Sequence, residues 1–337
     1  MFGSLDKATV VGDGGWGTSL AIILAAKFKS VSVWSHDPVY AEHTNRARRN
    51  TKFLPGVDLP GNIEFTGDCE AAMRGSELVM TVVPTKYARS VLSKLRECYT
   101  GVPVITAAKG IETGSLHTNS ELVRLYWEPS KVGVLSGPSH AEEVARGLPA
   151  TVVIAGEDSE FIKAAQAVLS SPSFRVYTNS DPIGVELCGA VKNVIAIAAG
   201  ICDGLKLGDN AKSALLTRGI AEIARLIVAA GGKAETVSGL AGIGDLITTC
   251  ISPFGRNRRV GMMLAEGKSL EEVVSSMEMV AEGVTTADAV VALARRHGVE
   301  MPICEEVRKV LFENKKPFEA VHDLMTRELK REDVSGG

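Results

Sequence analysis

The segment Gly12-Asp13-Gly14-Gly15-Trp16-Gly17 most narrows what this chain can fold into. It follows an apolar run, Ala8–Gly12, and precedes an Ala/Leu/Ile-rich stretch, Thr18–Phe28; a second apolar run follows at Val31–Trp34. Glycines at Gly12, Gly14 and Gly17 suit a strand-to-helix turn around a pyrophosphate. The first permits the tight turn, the second lets backbone approach the anion, and the third lets helix pack on strand. The helix N-terminus then offers free N–H groups to the negative charge. A glycine-rich turn that binds nothing is the alternative. Asp13 counts against phosphate unless its carboxylate points outward.

Further β-branched runs lie at Leu78–Val83, Val102–Ala107, Val132–Leu135 and Thr151–Ala155, with Phe174–Thr178 as one more. Helical patterns separate several of them, at Lys86–Glu97, Thr118–Tyr126, Ala141–Arg146 and Phe161–Ser170. This alternation predicts an α/β fold, a Rossmann-like doubly wound, mostly parallel sheet with helices on both faces. Beyond about residue 182 strand-like runs nearly vanish. Long helical patterns take over at Ile183–Asp203, Lys212–Ala230, Arg258–Glu266, Leu270–Met277, Thr285–His297, Ile303–Phe312 and Pro317–Leu329. The expected division is a dinucleotide-binding domain at 1–182, an all-α domain at 183–330 and a frayed polar tail at 331–337.

A chain of 337 residues is long for one core, which fits two domains. Net charge is −3, and the basic clusters are confined to Arg46-Ala47-Arg48-Arg49 and Arg256-Asn257-Arg258-Arg259. Nucleic acid is therefore not the expected partner. Six scattered cysteines, with no Cys-x-x-Cys and no clustered His, argue against a metal site and fit reduced thiols in the cytoplasm. The first residues lack the basic region and long apolar core of a signal peptide. The run Leu187–Ile201 is shorter than the roughly 18–20 residues of a membrane span and is interrupted by Lys192 and Asn193, so no membrane segment is expected.

Those two interruptions carry the chemistry. A lysine ammonium is almost never fully buried without a partner, because its desolvation costs several kcal/mol. Burial also lowers its pKa toward neutrality and lets it shuttle a proton. Lys192, near a nucleotide fold, thus points to a dehydrogenase; a structural lysine paired with a buried carboxylate is the alternative. At the end of the second strand, Asp37 stands at about the spacing of an NAD ribose ligand. His36 precedes it and Arg46, Arg48 and Arg49 follow, a partly basic pocket able to accept a 2′-phosphate. Use of both NADP and NAD is the expectation.

Taken with six other motifs, the glycine turn resembles the bacterial NAD(P)-dependent sn-glycerol-3-phosphate dehydrogenase family. They are Ala108-Lys109-Gly110, Ser136-Gly137-Pro138-Ser139-His140-Ala141-Glu142-Glu143, Val191-Lys192-Asn193, Leu240-Ala241-Gly242-Ile243-Gly244-Asp245-Leu246, Gly255-Arg256-Asn257 and Ala281-Glu282-Gly283. The ordered set covers nearly the whole chain. The main departures are Asp13, where the family usually has a small residue, and Gly15, where it often has Ser.

The resemblance implies reversible reduction of dihydroxyacetone phosphate to sn-glycerol 3-phosphate, a glycerophospholipid precursor, without a metal. Lys192 falls on the family's proton acceptor. The implied substrate contacts are Lys109, Gly137, Ser139, Lys192, Asn193, Asp245, Thr249, Gly255, Arg256 and Asn257. The implied cofactor contacts are Gly12, Gly14, Gly15, Trp16, Gly17, His36, Arg49, Lys109, Ala141, Arg256, Val280 and Glu282. Residue chemistry fits several of these positions. Ser139 suits a helix cap, and Arg256 offers a permanently charged fork for phosphate. Asp245 can hold Lys192 by charge or simply cap a helix, and a surface lysine is the alternative for Lys109. His140 reads as a neighbour, and Arg258 and Arg259 as solvated. A homodimer is the working expectation. Two rivals remain: a 3-hydroxyacid or 6-phosphogluconate-type dehydrogenase, and a non-catalytic NAD(P)H sensor. The first would separate its Lys and Asn by about a helical turn, whereas here they are adjacent.

Overall fold

The computed structural model describes residues 2–277, 279–329 and 331. The expected tail, 331–337, lies outside the described residues apart from Arg331. Eight strands form one sheet: β1 (Lys7–Val11), β2 (Ser30–Trp34), β3 (Ile63–Thr66), β4 (Leu78–Thr81), β5 (Val104–Thr106), β6 (Val132–Ser136), β7 (Ala150–Ala155) and β8 (Phe174–Asn179). Their order is β3-β2-β1-β4-β5-β6-β7-β8. All neighbours are parallel except β6 and β7, which pair antiparallel with Val134 opposite Ala155. Central strands buried on both faces read as unbroken apolar runs, and Leu78–Thr81 is buried at every position.

Between the strands lie α1 (Gly15–Ala25), α2 (Pro38–Ala47), α3 (Cys69–Met73), α4 (Thr85–Leu95), α5 (Asn119–Trp127), α6 (Ala141–Ala145) and α7 (Ser159–Leu169). Sequence reading passes over α2, β3 and α3. The signals are there but local: Asp37 accepts from the Val39 and Tyr40 amides with Pro38 at the first helical position, and Asp68 caps α3 likewise. Strand β3 alternates buried Ile63 and Phe65 with Glu64 over only four residues. Asp37 is thus a helix cap through its Oδ1.

The helical half comprises α8 (Pro182–Gly204), α9 (Gly208–Ala229), α10 (Ala234–Val237), a π-helical turn at Leu240–Gly244, α11 (Asp245–Ile251), α12 (Arg256–Ala265), α13 (Leu270–Ser275), α14 (Glu282–Arg296), α15 (Pro302–Phe312) and α16 (Pro317–Met325). Helix α8 starts where Asp181 accepts from the Gly184 amide and Pro182 fixes the first turn. It runs 23 residues, long enough to span a bilayer, so the shortness of its apolar run does not exclude a span. Burial does: its whole apolar window is enclosed by α9, α11, α12, α14 and the β6–β7 end of the sheet. Each of its buried Ile and Val side chains contributes roughly 1.5–3 kcal/mol, against which the cost of enclosing Lys192 is set.

Cys69 and Cys98 form a disulfide, while Cys188, Cys202, Cys250 and Cys304 are buried thiols. Arg258 is not solvated: its Nε donates to Asp203 Oδ2 at 2.5 Å, and Lys212 holds the same carboxylate at 2.8 Å.

Candidate active site

The carboxyl ends of the parallel strands, where ligands bind in open α/β sheets, face the buried polar middle of α8. Lys109 follows β5, Gly137 follows β6, and Lys192 projects from α8. Helix α11 begins with Asp245, whose carboxylate is 3% exposed. Lys192 Nζ donates to Asp245 Oδ1 at 2.5 Å and to Thr249 Oγ1 at 2.6 Å. Lys109 Nζ donates to Asp245 Oδ2 at 2.7 Å and to the Gly137 carbonyl at 2.9 Å. One turn along α11, Thr249 Oγ1 donates its own hydrogen bond to the Asp245 carbonyl at 2.6 Å, which leaves its lone pairs to accept from Lys192. Asp245 is therefore a shared counter-ion for two cations and not merely a cap.

Burial pushes the Lys192 ammonium down to about 8; the Asp245 charge opposes this and the Lys109 charge adds to it. Burial alone would raise Asp245, but Lys109 and Lys192 reverse that and hold its carboxyl below the usual range. His140 is near enough to be affected: burial first, then the Lys192 charge, lowers its imidazole. Its ring lies 5.9 Å from that of Phe254. Ser139 does not cap α6, since His140 is the cap residue with no side-chain bond. Instead Ser139 Oγ donates to the Gly137 carbonyl at 3.0 Å, joining Lys109 there.

An amide chain braces the other side. Asn193 Nδ2 donates to the Lys109 carbonyl at 3.1 Å, Asn257 Nδ2 donates to Asn193 Oδ1 at 2.8 Å, and the Gly283 N–H donates to Asn257 Oδ1 at 2.9 Å. Gly255 is the cap residue of α12, and the exposed side chain of Arg256 donates to the Val280 carbonyl at 2.9 Å. Glu282 accepts from the Thr85 amide at 3.1 Å, so α14 docks onto the start of α4. Its second oxygen is buried without a partner, and burial pushes its carboxyl up to about 7 against the pull of the Thr85 bond and Arg256.

The glycine turn fits a dinucleotide. Gly12 has φ +117°, and a Cβ on Gly17 would stand 2.0 Å from the Gly12 carbonyl oxygen, so both must be glycine. At Gly14 no protein atom lies within 4 Å of an added Cβ, an open place for backbone to meet a ligand. Asp13 faces sideways, its Oδ2 accepting from Ser35 Oγ at 2.6 Å. Trp16 turns its ring toward Phe174, with centroids 6.4 Å apart, so its backbone is what faces the turn. Ala141 lies over the same turn, its carbonyl accepting from Ser19 Oγ at 2.9 Å.

The basic pocket expected after β2 is largely occupied. Arg46 pairs with Glu42, Arg49 with Asp58, and Arg48 donates to the Ile63 and Pro60 carbonyls; His36 is exposed. Sequence reading also misses the segment after α2. Asn50 Nδ2 donates to the Asp13 carbonyl and to Thr18 Oγ1, both at 2.7 Å. Only the position of Asn50 just past the helix hints at this.

A doubly wound sheet with a phosphate-type glycine turn, closed by helices that present a lysine–carboxylate–lysine cluster, defines a two-domain nicotinamide-dependent dehydrogenase. Comparison with known proteins gives the particular family. Residues 7–162 match the family described as NAD-dependent glycerol-3-phosphate dehydrogenase N-terminus, and residues 181–322 match its C-terminus counterpart. The chain belongs to this family of oxidoreductases. It is 47% identical over 330 residues to glycerol-3-phosphate dehydrogenase (NAD(P)+) of Chlorobium phaeobacteroides strain BS1, covering 97% of this chain and 99% of the relative. It is 48% identical over 334 residues to the protein of that name from Moorella thermoacetica, covering 98% and 99%. The solved glycerol-3-phosphate dehydrogenase of Coxiella burnetii superposes with a TM-score of 0.92 at 39% identity, over 96% of this chain and 99% of that one.

Proposed function

We propose that this chain uses NADP or NAD to reduce dihydroxyacetone phosphate reversibly to sn-glycerol 3-phosphate, feeding glycerophospholipid synthesis. The observation that carries the reading is Lys192, sealed in apolar surroundings yet held on Asp245 and Thr249. When bound, the nicotinamide supplies a hydride to the carbonyl carbon in reduction and accepts it in oxidation. Lys192 donates the proton to the carbonyl oxygen in reduction and takes it back in oxidation. Asp245 keeps that ammonium charged and oriented, and Lys109 brings a second cation to the same end of the sheet. Gly137 and Ser139 flank the substrate beside Lys109, with Thr249 and Asn193 fixing the groups around it. Gly255, Arg256 and Asn257, at the start of α12, hold the phosphate through N–H groups and a guanidinium fork. Gly12, Gly14, Gly15, Trp16 and Gly17 cradle the pyrophosphate, with His36 and Arg49 toward the adenosine. Ala141, Val280, Glu282, Arg256 and Lys109 complete the cofactor wall.

The reading includes a domain boundary at 182/183, a homodimer, a cytoplasmic location and no nucleic-acid or membrane partner. The change from sheet to helices at Pro182 supports the boundary. The test is oxidation of NADPH and, separately, NADH by purified protein with dihydroxyacetone phosphate as the sole substrate. Rapid loss of reduced cofactor is expected. No loss with either, from folded protein that binds them, would overturn the proposal.

A further inference from the structure

We infer that Asp13 sets the cofactor preference of this chain, its carboxylate serving as the ribose-recognising acid and favouring the 2′-hydroxyl of NAD(H) over the 2′-phosphate of NADP(H). The inference rests on the dinucleotide reading of the glycine turn. In doubly wound folds the ribose acid stands at the end of the second strand, about 20 residues past the first glycine. Here the residue just past β2 is Ser35. Asp37, two further on, is exposed and is held by its Oδ1 on the Val39 and Tyr40 amides as the cap of α2, whereas Asp13 is buried against Ser35 itself.

Asp13 reaches that place from the glycine turn itself. Its Oδ2 accepts from Ser35 Oγ at 2.6 Å, and the residue is 6% exposed. Its Oδ1 has no protein partner among the described residues. Asn50 holds the Asp13 carbonyl at 2.7 Å, so the backbone beneath the side chain is pinned. A fixed carboxylate with a free oxygen accepts a hydrogen bond from a hydroxyl and repels a phosphate dianion, and repulsion between like charges in a poorly hydrated site is strong. The nearby arginines cancel little of it: Arg46 lies on Glu42, Arg48 on backbone carbonyls, and Arg49 is an exposed, solvent-screened cation in an equally exposed pair with Asp58.

The test is titration of the full-length protein with NADH and with NADPH, at one ionic strength and without substrate, followed by reduced-nicotinamide fluorescence. Wild-type protein should bind NADH at least about tenfold more tightly. Asp13→Asn keeps an oxygen for Ser35 but loses the charge, and it should remove most of that preference, mainly by gaining NADPH affinity. Competition by ADP-ribose against its 2′-phosphate on wild-type protein asks the same question without a variant, and ADP-ribose should win. Equal or tighter NADPH binding by wild type, or an unchanged ratio in Asp13→Asn, would overturn the inference while leaving the dehydrogenase reading intact. Binding of neither dinucleotide would overturn the reading of the turn, and this inference with it.

Discussion

Lys192 Nζ and Asp245 Oδ1 lie 2.5 Å apart, with both side chains almost sealed from water. Lys109 takes the other oxygen of the same carboxylate. Two cations thus share one anion, and the cluster keeps a net positive charge where a carbonyl oxygen gains electron density. Breaking a buried pair by removing one partner leaves an uncompensated charge, so each member constrains the other two.

Removing the proton donor should stop the chemistry and spare the cofactor. Lys192→Met keeps an unbranched apolar stem and loses only the ammonium. Turnover should fall by about 10²–10⁴ or more, the range for a lost general acid. NADH affinity, read by fluorescence titration, should change little because the glycine turn is untouched. Near-normal rates in this variant would sink the assignment of Lys192.

The pH dependence follows from which form of Lys192 each direction uses. Reduction needs the ammonium and oxidation the amine. With burial pushing Lys192 to about 8, the reductive rate should fall as pH rises through about 8, and the oxidative rate should rise over the same interval. Asp245 opposes this lowering, so Asp245→Asn should move both midpoints to lower pH. Profiles of kcat/KM in the two directions, which report the free enzyme, decide it, and midpoints unmoved by Asp245→Asn would remove Asp245 as the electrostatic partner.

Stability has its own pH signature at Glu222, on α9. Its carboxylate accepts from the Ile303 and Cys304 amides at the start of α15, and burial pushes it up to about 7 despite those bonds. A folded pKa above the unfolded value of 4.5 means that the folded chain binds the proton more tightly. The associated stability is complete below about 4.5 and is lost as pH rises through about 7. Glu222→Gln should flatten that decline, worth on the order of 1–3 kcal/mol, while losing one amide acceptor at a cost of about 1 kcal/mol. Urea midpoints across the interval should show the variant less stable at acid pH and the gap closing above neutrality. A parallel offset at every pH would refute it.

Arg256 offers a cleaner separation of binding from chemistry. Arg256 opens α12, and its guanidinium donates to the Val280 carbonyl at 2.9 Å. Arg256→Ala should raise the KM for dihydroxyacetone phosphate through a lost charge-assisted contact worth about 2–5 kcal/mol, with a smaller effect on kcat. An unchanged KM would take Arg256 out of the phosphate site.

What was legible in the sequence follows from how local each cause is. The glycine turn, the alternation of strands and helices, and a lysine stranded in an apolar run all act within a few residues. The pairing of Lys109 with Lys192 on Asp245 joins three elements that only the tertiary fold brings together. The same holds for Arg258 on Asp203, which separates it from its exposed neighbour Arg259. Helix α2 is hidden for a different reason: Asp37 stands at a ligand's spacing and also caps the helix, and spacing alone does not separate the two. Ser139 erred the other way, since a serine before a helix suggests a cap and here bonds the Gly137 carbonyl instead.

Gly15 turns a departure from the family pattern into a test. The resembling family often carries Ser at this position, yet a Cβ here would stand 2.5 Å from the Phe53 carbonyl oxygen, a backbone atom that has no rotamer to yield. Phe53 is itself strapped down, its N–H donating to Asn50 Oδ1 at 3.0 Å while Asn50 holds the Asp13 carbonyl. Gly15→Ser must therefore push the Phe53 segment outward and strain the Asn50 contacts that fix the glycine turn. The expected cost is about 1–3 kcal/mol of stability, typical of overpacking, with weaker NADH binding in step. Thermal melting and NADH titration of the same preparation measure both. A Gly15→Ser protein as stable and as tight-binding as its parent would mean that the segment moves aside freely and that Gly15 does not hold it there.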